Sequence, residues 1–150
     1  LSYAAHMAES TGGAAKGHCV AHAIGARYHV VHGHSAIMVI PALIRHHAEA
    51  SAENIAKLAE IFAVPKTGTA KEVADYVADA VLDFYKSFGF ENCKKTLEAN
   101  GFDDDVDQFT ENLIPAILDD FKSRNWVPPI DGEENRENLV NVCHMIYNEK

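Results

Sequence analysis

The chain has 150 residues, 47% of them hydrophobic, which suits one domain with a packed core rather than a disordered segment. Its 22 acidic residues outnumber 13 basic ones, giving a net charge of -9, and the Lys and Arg residues form no cluster. Binding to nucleic acid or to an anionic membrane surface needs a basic patch, so neither is expected as a partner.

The sequence predicts neither a membrane-spanning segment nor a secretory signal. The longest apolar run, residues 36–44, is interrupted by Pro41 and is far shorter than the roughly 20 residues that span a bilayer. Cys19, Cys93 and Cys143 are odd in number and lie in apolar helical segments. We therefore expect reduced core cysteines in a cytoplasmic protein.

Two helices rich in small residues are predicted first. An alanine-rich stretch over residues 2–9 favours a helix that Gly12 and Gly13 interrupt, and a second helix is predicted over residues 14–27. Small residues recur at every fourth position, at Gly13, Gly17, Ala21 and Gly25. On a helix they form one face almost free of side chains, which permits unusually close approach of a neighbouring segment.

An apolar segment after Gly33 is predicted to be a buried helix. The β-branched residues over 35–45 would also allow a buried strand. The length of the segment and its polar end at His46 and His47 favour the helix, which we expect to kink or begin anew near Pro41.

Five further helices are predicted after residue 50. Four of them have start signals, at Ser51, at Thr69 with Glu72, at Asp103 to Asp105 and, after a connector over 126–130, at Asp131 with Glu134. The fifth is a short helix around residues 93–99. The apolar residues expected on their inner faces include Ile61, Val77, Phe84, Phe88, Ile117 and Ile146. Since no strand is convincing, the fold class predicted is all-α.

The histidines are concentrated at one end of the chain, with eight of the nine before residue 50. His18 and His22 are four positions apart, so both rings project from the same face of a helix. His32 is expected in a loop after that helix, beside Gly33. Because imidazole is a common ligand of zinc and iron, this helical pair and the loop histidine predict a site approached from two directions.

A role without metal stays open for each histidine taken alone, because histidines are more often surface residues or hydrogen-bonded core residues. We assign that role to the remaining six, His6, His29, His34, His46, His47 and His144. No Glu follows His18, which excludes the HExxH chemistry of zinc proteases, and the cysteines lack CxxC spacing.

The histidine pattern resembles the signature HxxAHxxGxxxxxPHG of the iron-containing alcohol dehydrogenases. Here it is His18-x-x-Ala21-His22-x-x-Gly25, with His32-Gly33 following at a separation of 14 positions from His18 and an apolar run into Pro41. Val31 stands where the family has proline, a residue that stiffens the approach to the histidine rather than touching metal. Weaker similarities to the family, in the order and composition of the predicted helices and connectors, extend through the rest of the chain.

The resemblance implies the all-α, C-terminal helical bundle domain of the iron-containing alcohol dehydrogenase or dehydroquinate synthase-like fold, over residues 1–150. In this family an N-terminal α/β domain binds NAD or NADP, and the helical domain holds a divalent metal, Fe(II) or alternatively Zn(II). His18 and His32 match two of the four metal ligands. His22 matches the histidine near the metal, nicotinamide and substrate, so it is the candidate catalytic and cofactor-binding residue.

The implied reaction interconverts alcohols and aldehydes or ketones by metal-assisted hydride transfer, with a small-molecule substrate. The other two ligands, an aspartate and a histidine, precede this segment in the family, as does the α/β domain. No Gly-rich phosphate loop after a strand is visible here. We therefore expect a fragment that is inactive alone, whose exposed domain face would favour homo-oligomers.

Two other functions stay open. A non-catalytic helical metal-binding or interaction module would explain the missing cofactor domain without truncation. A glycerol dehydrogenase or a dehydroquinate synthase would share the superfamily, although Ala21, His22 and Gly25 favour the alcohol dehydrogenase branch.

Overall fold

The computed structural model describes residues 16–123 and 133–149, and this part of the chain is helical without strands. Its helices are α1 (Lys16–Tyr28), α2 (His32–His46), α3 (Ala52–Ile61), α4 (Ala70–Lys86), α5 (Cys93–Ala99), α6 (Val106–Ser123) and α7 (Glu133–Tyr147). The predicted all-α class is confirmed. The helix predicted over residues 2–9, the connector over 126–130 and the start signal at Asp131 lie outside the described residues.

Helices α1 and α2 lie at the centre of the packing. Helix α1 packs against α2 and α6, α2 also contacts α4 and α7, α6 packs against α7, and α3 packs against α4. The main core is built from buried side chains of α1, α2, α6 and α7, among them Ile24, Val39, Ile117 and Ile146. A second core between α3 and α4 contains Ile55, Ala59, Val73 and Val77.

The helix start signals are confirmed in part. Thr69 and Glu72 form the predicted capping box of α4, each side chain accepting from the other residue's backbone N–H. The Asp105 carboxylate accepts from the N–H groups of Asp107 and Gln108 at the start of α6. Ser51 precedes α3 but makes no side-chain capping bond. Among the helices described, none is both long and apolar enough to cross a membrane.

The buried helix predicted here is confirmed. Of the two alternatives expected near Pro41, a kink or a new helix start, the new start is wrong, because one helix runs from His32 to His46 through it. Proline in a helix interior loses one backbone hydrogen bond. Here Pro41 is fully buried in the protein, so packing of its ring offsets that loss.

Three apolar residues predicted to face inward are exposed instead, namely Ile61, Phe84 and Phe88. Each step of four residues turns about 40° around a helix axis. The buried face of α4 therefore moves from Val77 to Leu82 near its end and leaves Phe84 outside, while Phe88 lies beyond the last helical residue. Ile61 is likewise on the outer side at the end of α3.

The cysteines are buried as predicted, and burial decides their chemistry. Desolvation raises the pKa of the Cys93 and Cys143 thiols to about 12, with the neighbouring Cys143 adding to the effect at Cys93. A thiol with such a pKa is not ionised at neutral pH and does not act as a nucleophile. These two cysteines therefore contribute packing.

Asp104 connects α1, α6 and α7 through hydrogen bonds. Its Oδ2 accepts from the Tyr28 hydroxyl at 2.8 Å and from Asn112 Nδ2 at 2.7 Å, while its backbone carbonyl accepts from the Tyr147 hydroxyl at 2.8 Å. Burial raises the pKa of Tyr28, so its hydroxyl stays protonated as the donor. The Tyr28 ring also stacks on Phe109.

Substituting Tyr28→Phe is expected to lower the free energy of unfolding by about 1 to 2 kcal/mol. Hydrogen bonds to charged groups contribute about 1.5 to 3 kcal/mol, and Asp104 would keep the bond to Asn112. Urea unfolding followed by circular dichroism measures the change, with Tyr76→Phe on the outer side of α4 as the control. Equal stability of the two variants would contradict the role assigned to Asp104.

Candidate metal centre

A connection of three residues joins α1 to α2 and sets the position of His32. His29 has the left-handed backbone conformation, with φ of 56°, and makes the turn. The Val31 carbonyl then accepts from the N–H groups of His34 and Ser35, which starts α2. The Ser35 hydroxyl donates to the His32 carbonyl at 2.9 Å and fixes the first turn.

The predicted placement of His32 in a loop turned by Gly33 is wrong. His32 is the first residue of α2, and a Cβ added to Gly33 would meet nothing within 4 Å. The turn is made by His29, because histidine, like asparagine and aspartate, enters the left-handed region more readily than most residues.

Val31, the departure from the family signature, has a backbone conformation that proline also adopts. Its φ is -58° and its ψ is 136°. Proline fixes φ near -65°, so valine here adopts the conformation that proline would impose. The side chain of Val31 is exposed, so a proline ring at this position would not displace core residues.

The small face of α1 allows close approach, as predicted. A Cβ on Gly17 would lie 2.5 Å from Leu43 Cδ1 of α2, and a Cβ on Gly25 would lie 3.1 Å from the Val30 carbonyl oxygen. Ala21, between them, is buried. The small residues therefore bring both α2 and the connecting segment against α1, while Gly13 lies outside the described residues.

The structure brings the three predicted site residues together. The ring centroids are 5.8 Å apart for His18 and His22, 5.5 Å for His18 and His32, and 5.2 Å for His22 and His32. With metal–nitrogen bonds of about 2.1 Å, two imidazoles that share one tetrahedral ion have centroids about 5 Å apart. The spacing of the rings is therefore close to what a shared ion requires.

The cluster does not form a complete metal site by itself. Within residues 16–123 and 133–149, no three His, Cys, Asp or Glu side chains are arranged to hold a metal ion. Metal sites in proteins generally have three or four protein ligands. Two imidazoles are fewer ligands than such a site needs, and ligation by His18 and His32 stays a prediction.

The other described histidines lie outside the cluster. His29 is beside Phe102, His34 is beside Phe90, and His46 and His47 contact each other at the end of α2. Burial is the main cause of the lowered pKa of His46, and the nearby His47 lowers it further. His144 Nε2 lies 3.9 Å from Asp107 Oδ1. His6 is outside the described residues.

Asp120 is a site residue that the sequence analysis missed. Its Oδ2 lies 3.1 Å from His22 Nδ1, across 98 positions of sequence. A signal was present, since Asp120 is in helical register with the buried Leu113 and Ile117 of α6. An acidic side chain in that register needs a polar partner, and His22 is that partner.

Comparison with known proteins identifies one family. A family model described as Fe-containing alcohol dehydrogenase family, C-terminal, matches residues 2–128, which include the three clustered histidines and Asp120. No match was found among curated proteins or among solved structures.

Substituting Val31→Pro is expected to raise the free energy of unfolding by about 0.4 to 1 kcal/mol. The folded chain already has the φ that proline requires, so the ring would mainly restrict the unfolded chain. Val31→Ala is the matched control, because it trims the same exposed side chain without fixing φ. Urea unfolding midpoints compare them, and a proline variant less stable than the alanine variant would refute the conformational equivalence.

Proposed function

Because the chain belongs to the Fe-containing alcohol dehydrogenase family and matches its C-terminal part, we propose that it is the metal-binding helical domain of an NAD(P)-dependent alcohol dehydrogenase. The parent enzyme would interconvert alcohols and aldehydes or ketones. The observation that carries this proposal is the convergence of His18, His22 and His32, the histidines that match the family signature.

His18 and His32 are the proposed metal ligands of this domain. They come from different helices, and the packed contact of α1 with α2 holds their rings 5.5 Å apart. The remaining ligands, an aspartate and a histidine, and an α/β domain that binds NAD or NADP would lie on the N-terminal side in the parent enzyme. Fe(II) is proposed from the family, while imidazole ligands suit Zn(II) as well.

A divalent ion bound there would act as a Lewis acid on the substrate oxygen. His22 lies between that position and α6. Its ring centroid is 5.2 Å from that of His32, and its Nδ1 lies 3.1 Å from Asp120 Oδ2. It could carry the alcohol proton or orient the substrate hydroxyl, since imidazole donates and accepts near neutral pH. The nicotinamide would take the hydride, so the redox step itself belongs to the cofactor.

The arrangement of the site supports a small-molecule substrate. His32 is exposed, and His18 and His22 are half-buried, so the cluster is open at the surface of this domain. In the proposed enzyme the nucleotide-binding domain would cover that opening and exclude water during the reaction.

A second proposal, a non-catalytic metal-binding module, shares the histidine cluster but needs no cofactor domain. Alcohol-dependent reduction of NAD or NADP by the full-length protein separates the two, because only the enzyme would show it. The reading frame upstream of Leu1 gives an independent test. In the enzyme it encodes an α/β domain and the two further ligands.

Substituting His18→Ala or His32→Ala in the full-length protein is expected to remove most of the bound metal. Removing a residue that hydrogen-bonds to a metal ligand lowers metal affinity roughly 10- to 100-fold. Removing a ligand itself should lower the affinity by more. Metal content measured by mass spectrometry after dialysis gives the readout.

The matched control for these two variants is His47→Ala, an exposed histidine at the end of α2 away from the cluster. It should retain the metal content of the wild type. Retention of metal by both the His18 and the His32 variant would refute the ligand assignment.

A further inference from the structure

We propose that Asp120 is a positioning residue that holds His22 as its Nδ1–H tautomer. The inference rests on the function proposed above for its catalytic meaning. In that enzyme the fixed tautomer would make Nε2 the hydrogen-bond acceptor of the His22 ring.

The contact between the two side chains is specific to one ring nitrogen. His22 Nδ1 lies 3.1 Å from Asp120 Oδ2, which is hydrogen-bond distance. An ionised carboxylate only accepts hydrogen bonds, so the contact requires a proton on Nδ1. A neutral imidazole carries one proton, and Nε2 then holds the lone pair.

The carboxylate is itself held in place. Helix α6 packs against α1, and both contribute buried side chains to the main core, for example Ile24 and Ile117. The Ser123 hydroxyl donates to the Asp120 carbonyl at 2.8 Å and lies 3.4 Å from Asp120 Oδ1. The His22 ring is therefore oriented by a partner fixed to the fold.

A purely structural role for this pair explains less. The side chains of His22 and Asp120 are 41% and 22% exposed, and ion pairs with that much solvent access contribute little to stability. Asp120 is in helical register with buried apolar residues of α6, where an apolar side chain would pack at least as well. A carboxylate there accepts a hydrogen bond from one imidazole nitrogen, which an apolar side chain cannot do, and so favours the proton on that nitrogen.

Nuclear magnetic resonance tests the tautomer directly on the full 150-residue chain without metal. Long-range ¹H–¹⁵N correlation distinguishes protonated from bare ring nitrogens, and the signals of His22 are identified by their loss in His22→Gln. At a pH above the titration of histidine, we expect the Nδ1–H form in the wild type. Asp120→Ala and Asp120→Asn should shift His22 toward the Nε2–H form.

The control is Asp119→Asn, which changes the exposed neighbouring carboxylate on the same helix and should leave the tautomer unchanged. A wild type with the Nε2–H form, or a tautomer that survives both Asp120 substitutions, would overturn the proposal. Because this measurement uses no substrate, it decides the role of Asp120 even if the full-length protein has no dehydrogenase activity.

Kinetics of the full-length enzyme loaded with metal provide the second readout. Asp120→Asn is expected to lower kcat by about 10- to 100-fold, the cost typical of losing an orienting partner, with a smaller change in KM. Metal content and melting midpoint should stay at the wild-type values, as in Asp119→Asn. Unchanged kcat would overturn the positioning role, while an inactive wild type would instead overturn the proposed function.

Discussion

Close contact between α1 and α2 is the constraint on which the candidate site depends. Helix α1 has small residues at Gly17, Ala21 and Gly25, and a Cβ on Gly17 would displace the Leu43 side chain of α2, while one on Gly25 would crowd the Val30 carbonyl. Because only three residues join the helices, the position of His32 follows directly from this contact. The small residues lie beside His18 and His22 around the helix axis, so the close approach of α2 brings His32 near both rings.

Helix α6 and the residues just before it contact α1 at two separated points. Near the C-terminal end of α6, Asp120 contacts His22, and at its N-terminal side Asp104 and Asn112 contact Tyr28. The two helices therefore run in opposite directions, and packing of their buried side chains in the main core sets the position of α1. A rotation of α1 would move the rings of His18 and His22 together. The orientation of the site thus depends on residues that lie 76 to 98 positions away in the sequence.

The helices could be predicted from the sequence because the interactions that start and pack them involve residues close together in the chain. The capping box at Thr69 and Glu72 and the small-residue spacing on α1 depend on neighbours within one or two turns, and both appear in the structure. The failures involve long-range geometry. Whether Phe84 is buried depends on which side of α4 its neighbouring helices pack against, and the burial of Pro41 depends on the whole core.

The candidate site shows the same division. The signature predicted that His18, His22 and His32 lie together. The start of α2 at His32 was not predicted from the local sequence. Asp120 could not be assigned to His22 from sequence, because nothing local relates a carboxylate on α6 to an imidazole on α1. Its helical register marked it only as an acidic residue beside a buried face.

The short connection at His29 also has a consequence for the order of folding. The clustered histidines all lie between residues 18 and 32, so bringing their rings together requires closing only a small loop. Asp120 must instead be brought in by a contact spanning most of the chain, which is entropically costly to form early. We expect the helical hairpin of α1 and α2 to assemble the imidazoles first. Docking of α6 would then set their final orientation.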